Sequence, residues 1–277
     1  MAFVTKGLPL SRRSALFRVA AEPSLLLTSG PRALLLQVAH PSVAAGVAQH
    51  SDYRSRPWAR LLRTLAVVTA ITFADPDRSR RAARQLRRRH AEVRGTAEDG
   101  SAYEALDPDL LLWVWATLGD CLVRSHERFV HPLSEAEREE LYSEWKLVAY
   151  ACGVPEGACP ESWAHFAAYF RNVLDAELLP TEVACTVADY VRRPPVPFPL
   201  NIISGEFMHI LTGGQLPAHL RRDLGFSWNP ARQLAFDVTA TASRLAGRVI
   251  PGGIRRAPVA IATTAPVLAG LTPHGPE

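Results

Sequence analysis

Two Asp-Pro-Asp tripeptides, at residues 75–77 and 107–109, constrain this chain more than any other feature, because each ends one segment and opens a helix directly after it. Proline suits the first helical position, where its missing N–H would have had no partner. Apolar residues recur at helical spacing around both marks. Trp58, Leu61, Leu62, Leu65 and Val68 follow that pattern ahead of the first tripeptide. The stretch LLLWVWATLGDCLVRSHERFV follows the second, and its first ten positions are apolar enough for burial nearly all round.

The rest of the chain is punctuated in the same way. ALLLQVA (33–39) stops at His40-Pro41, and SVAAGVAQH (42–50) starts with Ser42 as N-cap. Ser134 and Glu137 form a capping box that opens a helix through about Cys152. Further helices are predicted at 162–178, 181–191, 202–211, 217–223 and 230–249. Prolines at 194, 195, 197 and 199 force the tract RRPPVPFPL into extended backbone. From Gly252 on, repeated prolines predict a poorly ordered tail. The expected fold is all-α: a single multi-helix domain over 28–250, an N-terminal segment 1–27 and a tail 251–277.

Charge is concentrated rather than spread. The net charge is +4, yet eight arginines fall between 78 and 94 against Glu92 alone, so the remainder of the chain is slightly negative. This weakens any reading that needs a broad phosphate-binding surface and leaves a near-neutral chain with one basic helix. Cys121, Cys152, Cys159 and Cys185 form no CxxC pair and read as reduced core thiols. The N-terminal stretch lacks the layout of a signal peptide, and no apolar run reaches the ~20 residues that cross a bilayer. A soluble, cytoplasmic protein is expected.

The arginine run, RRAARQLRRRHAEVRG (80–95), encloses one histidine. Gly95 is expected to close its helix. Helical spacing places Ala83, Leu86, Arg87, His90, Val93 and Arg94 on one stripe, leaving Arg80, Arg81, Arg84 and Arg88 outward. Arg87 and Arg94 are thus drawn inward beside His90 and require anionic partners. Three readings stand on spacing alone: a packed, hydrogen-bonded histidine; arginines paired with protein carboxylates; or a haem whose propionates meet Arg87 and Arg94 while His90 binds the iron.

Four blocks carry a resemblance: GPRALLLQVAHPSVAAGVAQHSDYRSRPWARLLRTL, RRRHAEVRG, YEALDPDLLLWVWATLGDCLV and LPAHLRRDLGFSW. In this order, over about residues 28–230, the chain resembles the MpaB-type oxygenase family, which includes the latex-clearing proteins, or rubber oxygenases. The resemblance implies an all-helical fold holding haem b. It implies His90 as the proximal iron ligand within RxxHxxxR, here Arg87, His90 and Arg94, and an open opposite face for oxygen or substrate. It further implies a distal RxxKT segment, matched by Arg60, Arg63 and Thr64, with Arg63 in place of the lysine.

An arginine stays protonated and is a very poor iron ligand, so a closed state capped by this residue is not expected. The stretch AHPSVAAGVAQH holds no carboxylate where the rubber oxygenases use an acid, so polyisoprene cleavage is not expected either. Trp115 stands where the family commonly has a histidine; facing the pocket it would narrow it, and packed away it would do nothing. His40, at a helix break, either joins the cofactor pocket or satisfies a free backbone group. Arg221 and Arg222 fall where the family places a functional arginine, and either one fits. The expected activity is a haem b-dependent oxidoreduction with O2 or peroxide on a small or apolar organic substrate. Its competitors are a haem-free structural or interaction protein of the same fold and a nucleic-acid-binding helical protein.

Overall fold

Many helix starts in this chain are set by side chains that accept the free N–H groups of the first turn, although the helices that begin at Pro41, Leu200 and Ala218 have no such bond. The computed structural model describes residues 7–250, apart from positions 23, 52, 55, 56, 98, 195, 196 and 198 and the side chains of 26 and 57–62. Part of the Pro-rich tract and the tail from Gly252 lie outside the described residues. Ser14 caps α1 (Ala15–Ala20) by accepting from the Phe17 N–H. α2 (Ser24–Ala39) begins well before residue 33 and runs through Pro31. Burial of Leu35, Leu36, Val38 and Ala39, none of them exposed, outweighs the one hydrogen bond that Pro31 withholds.

α3 (Pro41–His50) starts one residue before Ser42: His40 occupies the cap position without a side-chain cap bond, and Pro41 takes the first helical place. α4 (Pro57–Phe73) follows, and then Asp75 accepts from the Asp77 and Arg78 N–H groups to start α5 (Pro76–Glu92). α5 ends at Glu92, not at Gly95. Arg94 opens β1 (Arg94–Thr96), which pairs antiparallel with β2 (Ala102–Glu104), and Gly95 faces Tyr103. A Cβ at Gly95 would sit 2.8 Å from the Tyr103 hydroxyl and 2.7 Å from Gln49 Oε1. This glycine permits a close approach of the ribbon rather than closing a helix.

Asp107 caps α6 (Pro108–Phe129) through the Asp109 and Leu110 N–H groups. Both halves of the capping box form at α7 (Glu135–Cys152): the Ser134 N–H donates to Glu137 at 2.8 Å, and the Glu137 N–H donates to Ser134 Oγ at 3.3 Å. The order closes with α8 (Trp163–Ala176), α9 (Glu182–Arg192), α10 (Leu200–Gly213), α11 (Ala218–Asp223) and α12 (Pro230–Val249).

The fold is all-α, with the two-stranded ribbon as its sole sheet among the described residues. α2 runs along α6 and also touches α3, α9 and α10, which makes it the central rod. α6, α7 and α8 meet over an aromatic cluster in which Trp115 stacks on Trp145 at 6.0 Å and Trp113 stacks on Phe170 at 5.2 Å. α4 and α5 fold back on one another, and α7 packs against both. That arrangement leaves a space between the α4–α5 pair and the α3–α6–α7 wall. Among the described residues no helix is long and apolar enough to cross a membrane, and the four cysteines are free.

Candidate active site

The space is a cavity of about 360 Å³ walled by Val43, Val47, Val67, Val68, Leu86, Val93, Leu111, Val114, Leu118 and Val148. Its polar lining is sparse: Gln37, Ser42, His50, Ser51, Arg63, Thr64, Arg89, His90 and Tyr103, together with Trp115, Trp145 and Cys152. No carboxylate lines it among the described residues. Low dielectric and few polar groups are what a binding site for an apolar molecule requires.

His90 stands in the last turn of α5 and lines this cavity. Its ring is half-buried, and Nδ1 is cut off from solvent without a hydrogen-bond partner. Burial pushes the imidazole below its ordinary range, so the ring is neutral and keeps a lone pair. Across the cavity α4 presents Arg63 and Thr64, both half-buried. The Arg60 side chain lies outside the described residues.

The structure does not bring Arg87 and Arg94 to the same place. Both are exposed and neither lines the cavity. Arg87 lies about 60° round the helix from His90, beyond the stripe of buried Ser79 and Ala83 and half-buried Leu86. Arg94 has left the helix for β1, where its carbonyl lies 3.3 Å from His50 Nε2. The inward pair of arginines expected from spacing is therefore corrected: a narrower stripe and an earlier helix end turn both outward. His40 is also outside the cavity lining, with Nε2 3.4 Å from the Glu177 carboxylate and its ring against Trp113. Burial lowers its pKa and Glu177 opposes that shift.

Arg89 was not singled out by the sequence, yet it lines the cavity beside His90. Its separation of three from Leu86 was the available signal. Trp115 does both things left open for it: it lines the cavity, and its indole N–H donates to the Trp145 carbonyl at 2.9 Å. Arg221 and Arg222 lie elsewhere, in a groove at α11. There Arg221 covers the Trp228 ring at 4.7 Å and Arg222 sits 3.7 Å from Asp223. Among the described residues no group of three or more His, Cys, Asp or Glu side chains is placed to hold a metal ion.

Comparison with known proteins places the chain in a family. The family model described as "ER-bound oxygenase mpaB/B'/Rubber oxygenase, catalytic domain" matches residues 17–245. Uncharacterized proteins of Mycobacterium bovis and Mycobacterium tuberculosis are each 31% identical over 225 residues, which cover 79% of this chain and 87% of theirs. No solved structure matches the chain. The chain belongs to the mpaB/rubber oxygenase catalytic-domain family.

Proposed function

We propose that this protein is a haem b-dependent oxygenase that holds iron through His90 and acts with O2 or peroxide on a small or apolar organic substrate. One observation carries the reading: a neutral imidazole with an orphaned buried nitrogen on the wall of an apolar cavity. A bare metal ion needs several protein ligands, whereas porphyrin iron takes one from the helix and the rest from its macrocycle. The residues present therefore fit haem. Bound there, the haem supplies the electron transfer and oxygen chemistry that side chains lack.

The chain's own contribution is binding and exclusion of water. Val67, Val68, Leu86, Leu111 and Val114 provide an apolar lining that strengthens any polar contact made inside it. Thr64 and Arg63 place donors on the α4 side, where they orient whatever lies opposite His90. Arg60 and His40 have no assigned part in this reading, and neither have Arg87 and Arg94, which are exposed and outside the cavity lining.

The test is the absorption spectrum of the full chain purified from cells supplied with haem. A Soret band with one haem per chain is the expected result, and His90→Ala removes it. If no haem co-purifies or reconstitutes, the reading fails; if His90→Ala keeps a native spectrum, the ligand is another residue.

A further inference from the structure

Elsewhere in the fold, some half-buried guanidiniums meet acids, as Arg138 does at 2.6 Å from Glu127 and Arg232 at 2.7 Å from Glu206, while Arg221 covers the Trp228 ring and Arg244 donates to the Arg128 and Glu127 carbonyls. Arg63 differs from these. It is half-buried on the cavity wall, and among the described residues it has no ion pair or side-chain hydrogen bond and no carboxylate lines the space around it. Arg89, exposed at the edge of the same cavity, likewise has no acid partner among the described residues.

The α4–α5 pair brings these two cations to one end. Ser79 Oγ donates to the Ile71 carbonyl at 2.6 Å, which sets the register of the two helices. Counting outward from that bond, position 63 is level with 87, and Arg89 lies two residues on, about 3 Å along the axis. The rest of the lining is mainly apolar with a few uncharged polar side chains, and Arg63 and Arg89 are its arginines among the described residues.

We infer that the substrate is an apolar molecule bearing a carboxylate, which Arg63 receives on the cavity wall with Arg89 at the cavity edge. The inference rests on the oxygenase reading in taking this cavity as the place where substrate lies. A guanidinium half removed from water strongly favours a compensating anion, and it matches a planar carboxylate by two parallel N–H donors.

The test uses the full chain purified with haem supplied, titrated calorimetrically with octanoate and with 1-octanol. Octanoate is expected to bind about ten-fold tighter than octanol. Arg63→Gln is expected to abolish the preference by weakening octanoate far more than octanol, Arg63→Lys to restore part of it, and Arg89→Gln to reduce it about two-fold. The inference is overturned if native protein binds both compounds alike, or if Arg63→Gln weakens both by one factor. Haem content, read on the same samples, separates this result from the haem reading. A haem-free chain that prefers octanoate sinks the haem assignment and supports the carboxylate. Loss of haem in Arg63→Gln with the octanoate preference unchanged assigns the guanidinium to a haem propionate and overturns the inference.

Discussion

The Arg32 guanidinium donates to the Asp120 carboxylate at 2.6 Å in the interior of the bundle, with side-chain exposures of 2% and 4%. Arg32 Nε also donates to the Gln215 carbonyl at 2.9 Å, and Gln215 Nε2 donates to the Thr28 carbonyl at 2.7 Å. Arg124 supplies Asp120 with a second cation at 2.9 Å. The network ties α2 to α6 and to the segment after α10.

Removing one partner of a buried pair leaves the other charge unpaired in a medium that solvates it poorly. Asp120→Asn, nearly isosteric, is therefore expected to cost about 3–5 kcal/mol in urea unfolding. The double change Arg32→Met, Asp120→Leu should be less damaging than Asp120→Asn alone, because no charge is stranded. A loss below about 1 kcal/mol for Asp120→Asn would show that Arg32 has an alternative partner.

Acid sensitivity should trace in part to His209. Its ring is 7% exposed, and Nε2 lies 2.9 Å from the Ser227 carbonyl, so that nitrogen carries the proton. Burial lowers its pKa from 6.5; the Ser227 carbonyl and Glu206 oppose the shift, while Arg232 and Arg192 add to it. The unfolded chain thus binds a proton at a pH where the folded one does not. Stability is full above 6.5 and falls as pH drops toward the folded-state pKa, by about 1.4 kcal/mol per unit for this one proton. His209→Gln keeps a donor for Ser227 and should flatten the slope below 6.5 by up to one proton. An unchanged slope would place the acid response at other histidines.

Much of this fold could be read from local rules, since Asp75, Asp107, Ser134, Ser162 and Thr181 act within three residues of themselves. The His90 position on the buried side of α5 follows from spacing for the same reason. Other features depend on distant contacts. The end of α5 is set by β2, ten residues further on, whose Tyr103 draws Gly95 into a ribbon. That alone removes Arg94 from the helix face. His40 is held by Glu177, from the far end of α8, and no local pattern announces that pair. The cavity draws on α2 through α7, so Arg89 gains its place only when α4 and α5 have folded back on each other.

Gly119 should be intolerant of any side chain. A Cβ there would meet the Trp145 indole, and Trp145 is in turn stacked on Trp115 and lines the cavity. Gly119→Ala is expected to destabilise by about 1–3 kcal/mol through overpacking. It should also weaken binding of an apolar ligand such as octanol, because the indole has the cavity as its free side. Unfolding and titration of the same sample check both effects. Loss of stability with unchanged octanol affinity would mean that the indole yields in another direction.

Trp115 combines packing and pocket shape, and two substitutions separate them. Trp115→Phe retains an aromatic ring against Tyr142, Trp145 and Phe166 but gives up the N–H bond to the Trp145 carbonyl. The Trp145 carbonyl keeps its helical partner inside α7, so the change costs only the net worth of the extra hydrogen bond, about 0.5–1.5 kcal/mol. Trp115→Ala removes the whole ring from a side chain 3% exposed and should cost about 3–5 kcal/mol. Both enlarge the cavity, the second far more. If Trp115 sets pocket width, a branched alcohol bulkier than octanol should gain affinity relative to octanol in Trp115→Phe, and more in Trp115→Ala. Equal relative affinities in all three proteins would make Trp115 a packing residue alone, since a wall that limits ligand size cannot be thinned without changing which ligand fits.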